Sequence, residues 1–435
     1  MTAGGRKLSL FDLLCLGVNA IVGSGIYLLP GKLAALLGPA SILAFLVTGL
    51  LSTLIALSFA EVSGRFDRSG GPYVYAREAF GAPVGYLVGW TCWAAAVMSW
   101  AAVTRGLLFQ LASIHPFFTS PGVPPTLAAT SIILLTTINI LGVKPGAITT
   151  DILTVAKLLP LGLLLVIGLA SLSSTRLIPF APQGYQGLSQ ASFIAFFAFQ
   201  GFEVVPVPAG DSTNPTRDAP LAVLISVGVA TLLYMAIQLT AVATTPHLAG
   251  HGEPLTAMAR QLLGPAGALL IAIAAVVSMF GFNAGVALAA PRYLEALATD
   301  KLLPAPLAQR HPQRHTPQAA ILLTSFATLL LTLGLDFTRL VDLSVIFVAV
   351  QYLSTTASVP VLRRRLARKS STFALPAGPL IPLAGFLAVT ALIGSRLMAQ
   401  DDGRKLILQF AALSALGLVA ALPTWIARHL SSPKG

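Results

Sequence analysis

Residues 10–31 read LFDLLCLGVNAIVGSGIYLLPG, an apolar run whose middle holds Gly23, Ser24 and Gly25. After Asp12 the run contains no charged side chain, and it is long enough to cross a hydrocarbon layer of ~30 Å, which takes roughly 20 helical residues. A glycine costs ~1 kcal/mol relative to alanine inside a helix, and an opened turn within lipid needs partners for its backbone groups. The run therefore predicts a membrane helix that is interrupted at a substrate site, or else a glycine face that packs against another helix.

A second apolar run repeats this interruption. The Gly-x4-Pro spacing of Gly25-Ile-Tyr-Leu-Leu-Pro30 recurs in Gly201-Phe-Glu-Val-Val-Pro206, although a chain with 38 Gly and 30 Pro could also contain such a pair by chance. Two interrupted helices at corresponding positions are typical of inverted-repeat transporters, whose substrate site lies at the two breaks. We therefore expect the two interruptions to lie together in the folded chain.

The composition indicates a polytopic membrane protein. Hydrophobic residues make up 55% of the 435 positions, charged residues make up 10%, and the mean hydropathy is +0.82. These values exclude a soluble enzyme with one membrane anchor. The formal net charge of +12 does not predict nucleic-acid binding, because the basic residues are dispersed at the ends of apolar runs. Cys15 and Cys92 lie in apolar runs and predict neither a disulfide framework nor a four-ligand metal site.

About twelve transmembrane helices are predicted from the apolar runs, within a single transmembrane domain over residues 1–435. The runs cover residues 10–31, 39–60, 80–109, 125–143, 147–171, 191–211, 219–243, 265–290, 318–335, 338–361, 378–397 and 406–427. With a cytoplasmic N-terminus, most of the 27 basic residues fall on cytoplasmic segments. This bias predicts both termini inside a multi-pass protein of the cell membrane. The connections 61–79 and 291–317 are then cytoplasmic, whereas 172–190 and 244–264 lie outside and are expected to carry short helices.

The two breaks offer opposite helix ends to one ligand. Helix N-termini favour anions and helix C-termini favour cations. A zwitterionic amino acid fits this arrangement, with its carboxylate on the amides that follow the first break and its ammonium on the carbonyls near both breaks. The predicted substrate-binding residues are Ile21, Gly23, Ser24, Gly25, Ile26, Phe197, Gln200 and Gly201.

Three motifs resemble those of the amino acid–polyamine–organocation (APC) permeases. They are Gly-Ser-Gly-Ile-Tyr-Leu-Leu-Pro-Gly at 23–31, Phe-Ala-Phe-Gln-Gly-Phe-Glu at 197–203 and Asn-Pro-Thr-Arg-Asp-Ala-Pro at 214–220, and the similarity extends through 292–304 to Thr316-Pro317. The resemblance covers at least the first ten predicted helices. It implies the all-α leucine-transporter fold: five plus five helices in inverted repeat (10–171 and 191–361), discontinuous helices 1 and 6, and two further helices within 378–427.

The same resemblance implies alternating access around the broken helices. Phe197 matches an aromatic gate that closes over the substrate from outside. Residues 209–211 read Ala-Gly-Asp where the family often has two acidic residues, which leaves an inner-gate role there open.

Lys157 lies ten residues into the fifth apolar run, roughly 15 Å deep at ~1.5 Å per residue. An ammonium at that depth costs ~2.5–3.5 kcal/mol or more unless the side chain reaches toward the surface. A buried lysine can bind and release a proton. The resemblance implies that a lysine on this helix occupies the place where sodium binds in sodium-coupled relatives. Because exchangers also have it, the residue does not decide between proton symport and exchange.

Glu203 is a second, weaker candidate for proton coupling, and a structural hydrogen bond to a neighbouring helix explains it equally well. His311 and His315 have the spacing of a helical metal pair, but they lie in a Pro-containing connection without a carboxylate between them, so no metal site is predicted. No catalytic residue and no cofactor is predicted, and the proton is the expected coupling ion.

These observations predict a secondary active transporter that couples the uptake of neutral L-amino acids to protons by alternating access, and not an enzyme. Its expected partners are the amino acid substrate and the lipid bilayer. Two alternatives stay open within transport: an obligate amino acid exchanger in which Lys157 is structural, and a permease for cationic amino acids or polyamines that uses Glu203. A transporter-like membrane sensor is the alternative from another class.

Overall fold

The chain folds into helices almost throughout. A computed structural model describes residues 8–208, 210, 212–366, 373, 375, 378–398 and 403–431. Within these residues the backbone forms fifteen α-helices and several short 3-10 helices, and extended pairing is limited to one isolated bridge between Leu8 and Ser212. The all-α class predicted from the sequence is therefore confirmed for the described part of the chain.

The α-helices are α1 (Leu10–Ile21), α2 (Gly25–Leu28), α3 (Pro30–Leu37), α4 (Ile42–Ser63), α5 (Pro72–Phe80), α6 (Ala82–Ile114), α7 (Val123–Leu141), α8 (Val143–Ala170), α9 (Leu188–Phe199), α10 (Pro215–Thr244), α11 (Pro254–Thr299), α12 (Gln318–Gly334), α13 (Phe337–Arg365), α14 (Leu380–Met398) and α15 (Gly403–Ser431). Short 3-10 helices at Ser174–Leu177 and Leu248–Gly250 lie in the two connections where the sequence predicts short helices.

Nine helical segments of the described chain are long and apolar enough to cross a membrane, by length and composition, and Gln318–Gly334 and Leu380–Gly394 are shorter apolar helices. The prediction of a multi-pass membrane protein is thereby confirmed. A helix overlaps each of the twelve predicted runs, but α9 is the only α-helix described in the run 191–211, because the second break ends that helix at Phe199. The number of crossings and the five-plus-five repeat stay predictions.

Two predicted polar connections contain more helix than the sequence indicates. Helix α5 occupies the second half of the connection 61–79, and α11 continues into the connection 291–317. Both extensions bury one apolar face against α6. A Cβ at Gly89 of α6 would lie 2.9 Å from side-chain atoms of both Tyr73 and Leu297, so this glycine allows the two extensions to approach α6 closely.

The first broken helix lies inside the helix bundle. Helix α1 packs against α8, α10 and α11, while α6 packs against α11 and α13. A capping box begins α1, since Ser9 N donates to Asp12 Oδ2 at 2.6 Å and Asp12 N donates to Ser9 Oγ at 3.3 Å. Large apolar side chains such as Leu159 of α8 and Phe326 of α12 are exposed instead, as expected of surfaces that face lipid.

The first helix breaks where the sequence predicts. Helix α1 ends at Ile21, Val22 has a ψ of 80°, and α2 begins only at Gly25. Within this break Gly23 N donates to Ile21 O at 2.9 Å. The helical hydrogen-bond ladder is thus opened for one turn and resumes in α2, which is followed after Leu29 by α3, beginning at Pro30.

The second break differs from the prediction on its C-terminal side. After α9, Gly201 has a φ of 127°, in the left-handed region that favours glycine. The expected half-helix after Gly201 is not an α-helix: the described residues form a 3-10 helix at Phe202–Val204, followed by turns. The reason is that Pro206 and Pro208 provide no backbone N–H and cannot continue a regular α-helix.

A buried carboxylate joins the C-terminal ends of α4 and α13. Glu61 is fully buried and accepts hydrogen bonds from Arg363 Nε at 2.7 Å and Arg363 Nη2 at 2.6 Å. It also accepts from Arg65 Nη2 and from the backbone N–H of Leu375, each at 3.0 Å. Because the buried charge has several donors, this cluster holds the two helix ends together.

Candidate functional site

The two breaks lie in direct contact. A Cβ built on Gly25 would lie 2.6 Å from the Cβ of Ala198 in α9, and a Cβ on Gly201 would lie 2.3 Å from the carbonyl oxygen of Ala20 in α1. Neither distance is possible for a real Cβ, so each break depends on a glycine at its point of contact with the other. The structure therefore brings the two predicted interruptions together, and it also provides the close-packing role that glycine can have.

Three backbone amides follow the first break without an intramolecular acceptor. Among the described residues, the N–H groups of Ser24, Gly25 and Ile26 make no backbone or side-chain hydrogen bond. The hydroxyl of Ser24, which is 1% exposed, also has no partner. These donors are available to the carboxylate of a ligand, although their role in substrate binding stays a prediction.

The carbonyl side of the first break already has donors from the protein. The Tyr234 hydroxyl of α10 lies 2.8 Å from Ile21 O and 3.1 Å from Ala198 O, so it connects α1 with α9. Gly23 N also donates to Ile21 O. A substrate ammonium that binds Ile21 O, as predicted, would therefore share this carbonyl with Tyr234.

Lys157 reaches the same break from α8. Its Nζ donates to Asn19 O at 2.9 Å and to Val22 O at 2.6 Å, and its side chain is fully buried. Val22 O also accepts from Ser278 Oγ at 3.0 Å. No ion pair to Lys157 occurs among the described residues. The ammonium thus points at the C-terminal end of α1 rather than toward the membrane surface.

A small cavity lies beside the second break, between α6, α11 and α13. Its polar lining consists of Cys92, Ser99, Gln200, Glu203, Tyr293 and Gln351. Its volume is about 20 Å³, which is room for roughly one water molecule. Gln200 is 5% exposed, and neither its Nε2 nor its Oε1 has a hydrogen-bond partner. The cavity therefore contains a buried amide whose hydrogen bonds the protein does not supply.

Glu203 holds the second break in place. Its Oε2 accepts from Gly201 N at 2.8 Å and from the Tyr352 hydroxyl of α13 at 2.7 Å. The structural hydrogen bond considered for this residue is thus present, and it uses the amide that Gly201 would otherwise offer to a ligand. A role of Glu203 in proton coupling stays a prediction.

Phe197 is not among the residues that line this cavity. It is 7% exposed, and its ring packs edge-on against Phe337 at a centroid distance of 6.2 Å. Lys32 Nζ lies 5.7 Å from the centroid of the same Phe337 ring. An aromatic side chain in this position can cover a ligand at the breaks, so the geometry is compatible with the predicted gate without testing it.

Two other sequence-based interpretations concern residues 209–211 and the pair of His311 and His315. Ala209 and Asp211, the positions of the open inner-gate question, lie outside the described residues. His315 N donates to His311 O, and the part of the chain that the structure describes contains no group of three or more His, Cys, Asp or Glu that could hold a metal ion.

Three residues that contact the breaks were not predicted from the sequence: Tyr234, Tyr352 and Ser278. Tyr234 and Tyr352 lie inside the apolar runs 219–243 and 338–361, in a chain with only 8 Tyr. A tyrosine that is buried usually finds a hydrogen-bond partner. Their position within membrane helices was therefore the available signal, but it could not identify the partner.

Apolar helices that enclose two touching helix breaks define a multi-pass membrane transporter. The family model described as "Amino acid permease" matches residues 8–420, and this chain belongs to that family. The methylthioribose transporter of Bacillus subtilis is 27% identical over 394 residues, which cover 87% of this chain and 86% of that protein. The branched-chain amino acid permease BcaP of the same organism is 27% identical over 87% of this chain and 85% of the relative. The serine/threonine exchanger SteT, also of Bacillus subtilis, is 26% identical over 90% of this chain and 91% of the relative.

The family and these relatives are transporters, so the protein is a membrane transporter and not an enzyme. The resemblance to the APC permeases inferred from its motifs is confirmed. The names of the relatives differ in substrate, and one of them is an exchanger. The relatives therefore do not determine the substrate or the coupling of this protein, and both must be inferred from its own residues.

Proposed function

We propose that this protein takes up neutral L-amino acids together with protons across the cell membrane, by alternating access around its two helix breaks. The observation that carries this proposal is the contact of the two breaks beside Lys157. Free amides follow one break, a buried ammonium holds the carbonyls that precede it, and an unpartnered amide lies at the other break.

The substrate carboxylate binds the amides of Ser24, Gly25 and Ile26. The carboxylate is an anion at a helix start, where exposed N–H groups favour negative charge. The substrate ammonium binds the carbonyls of Phe197 and Gln200 at the end of α9, with Ile21 O as a shared acceptor. A neutral substrate is favoured because Glu203 Oε2 already accepts two hydrogen bonds from the protein.

Lys157 is the coupling residue in this proposal. When protonated it bridges α8 to the end of α1, and when deprotonated it releases that bridge, so that the two states favour different conformations. A fully buried amine with two carbonyl acceptors and no ion pair in the described chain supports this assignment.

The same proposal includes twelve crossings, with both termini in the cytoplasm and residues 10–171 and 191–361 as inverted repeats within one transmembrane domain. Helices that overlap all twelve apolar runs support the number of crossings. Breaks in the first and sixth runs support the repeat, because they occupy corresponding places in the two halves.

The experiment is uptake by proteoliposomes with a panel of labelled amino acids, each tested with an inside-alkaline pH gradient and with internal amino acid. We expect neutral amino acids to accumulate when the gradient is imposed. The proposal would be contradicted if accumulation did not depend on the pH gradient, or if a cationic amino acid were the preferred substrate.

An obligate exchanger is the second candidate. Two hydrogen bonds fix Lys157 to the end of α1, and a purely structural tie would look the same. One similar protein is named as an exchanger. In that case uptake would require internal amino acid and would not respond to the pH gradient.

A further inference from the structure

The cavity beside the second break is lined by polar side chains and by small residues. Ala95, Ala96 and Ser99 of α6 line it together with Gln200 of the break. The cavity is contiguous with the breaks, since Ala20 and Gly201 also line it. A substrate held at the breaks can therefore extend its side chain into this space.

Three of the polar residues in this cavity already have hydrogen-bond partners in the protein: Cys92, Gln351 and Glu203. Cys92 Sγ donates to Gln351 Oε1 at 3.2 Å, and Glu203 accepts from Gly201 and Tyr352. Gln200 differs, because both its amide oxygen and its amide nitrogen are buried without a partner. A glutamine amide has two N–H donors and an acceptor oxygen. Leaving their hydrogen bonds unmade is unfavourable in a buried site.

We propose that this cavity receives the side chain of the substrate and that Gln200 selects small, uncharged side chains with a hydroxyl group, as in serine and threonine. This inference rests on the proposed amino acid transport. A hydroxyl both donates and accepts, so it satisfies either end of the Gln200 amide. The space of about 20 Å³ accommodates a group of the size of water. A leucine or a guanidinium side chain must displace the lining residues. Valine has the shape of threonine, so it is disfavoured because it leaves the Gln200 amide unpaired and not because of its size.

The selectivity follows from this unpaired amide. A site that is built to hydrogen-bond a substrate hydroxyl rejects an analogue without it more strongly than an apolar pocket rejects an extra group. Serine and threonine therefore bind better than alanine, valine and leucine, and better than lysine.

The first measurement uses purified wild-type protein in proteoliposomes. Uptake of labelled serine is competed with unlabelled serine, threonine, alanine, valine, leucine and lysine. We expect serine and threonine to compete at concentrations about tenfold or more below those of the others. Preference for valine, leucine or lysine overturns the selection by Gln200 but leaves amino acid transport intact. If none of a complete amino acid panel is taken up, the proposed function itself fails.

Gln200→Met keeps the length of the side chain and removes its hydrogen bonds. We expect this variant to lose the preference for serine over alanine, measured as the ratio of the two uptake rates. Gln261→Met, at an exposed position of α11, is the matched control and should keep the wild-type preference. An unchanged preference in Gln200→Met overturns the proposal.

Discussion

Replacing Lys157 by Met tests the proposed coupling most directly. The two hydrogen bonds from the ammonium to Asn19 O and Val22 O contribute about 1.5–3 kcal/mol each, as bonds to a charged group do. Removing an ammonium from the membrane interior recovers about 2.5–3.5 kcal/mol. Val22 O keeps its bond from Ser278. The two effects largely offset, so we expect the variant to fold with a loss of stability of at most about 3.5 kcal/mol.

The transport effect is much larger. If Lys157 carries one proton per substrate, a difference of one pH unit provides about 1.36 kcal/mol, which supports about tenfold accumulation of the substrate. An inside-alkaline gradient of about two units therefore allows about hundredfold accumulation by the wild type, with 1.4 kcal/mol for each factor of ten. Lys157→Met cannot use this gradient, and its inside-to-outside ratio should remain near one.

The assay compares concentrative uptake with equilibrium exchange in proteoliposomes. Lys157→Arg keeps a positive charge but does not release its proton, so it should also lose accumulation. Lys301→Met, at an exposed lysine in the connection after α11, is the control and should accumulate substrate like the wild type. Full accumulation by Lys157→Met would reject this residue as the coupling site. Loss of both accumulation and exchange would favour a structural role.

Three further predictions concern stability, the gate and topology. Glu61→Gln should lower the free energy of unfolding by about 3–5 kcal/mol, because Arg363 then lacks its buried partner, and the midpoint of thermal unfolding in detergent measures this loss. Arg68→Gln is the control: it breaks an exposed ion pair and should change stability by less than ~1 kcal/mol. Phe197→Ala should raise the dissociation constant about tenfold, or ~1.4 kcal/mol, and unaltered affinity and uptake would remove its gate assignment. A tag after Gly435 should be inaccessible to impermeant reagents outside intact cells. Labelling of the tag from outside would show that the predicted orientation is wrong.

The sequence predicts those parts of the fold that depend on local chemistry. Apolar runs identify the membrane helices because a helix needs about 20 such residues to cross, and glycines in two of these runs identify the breaks. The second break was predicted only in part. An α-helix was expected after Gly201, but the two prolines that follow at positions 206 and 208 prevent it.

The groups that complete the site come from distant parts of the chain. Lys157 was predicted from its depth in an apolar run, but its two carbonyl acceptors were known only once α8 was placed beside α1. The Tyr234 hydroxyl binds backbone oxygens of α1 and α9, and the Tyr352 hydroxyl binds the Glu203 carboxylate. These partners lie on other segments of the chain, in two of the three cases more than a hundred residues away. Such partners depend on how helices pack, and no local pattern in one sequence specifies that packing.

Gly25 shows how the structure changes a sequence-based interpretation. The sequence favours glycine there because a side chain would obstruct the amides that bind a carboxylate. In the structure a Cβ on Gly25 would also lie 2.6 Å from Ala198 Cβ and 2.8 Å from Ala198 Cα. Since a backbone atom is involved, α2 and α9 must move apart to admit even a methyl group.

We therefore expect Gly25→Ala to reduce both substrate affinity and thermal stability, with a loss of about 1–3 kcal/mol from overpacking. Ser24→Ala is the control, because it keeps its backbone amide and removes a hydroxyl without a partner, so stability should not fall. Substrate affinity and the midpoint of thermal unfolding are measured on the same purified samples. If Gly25→Ala loses affinity at unchanged stability, the contact with Ala198 is not what requires glycine, and obstruction of the amides alone explains it. If stability falls while affinity is kept, the first break is a packing feature, and the carboxylate must bind elsewhere.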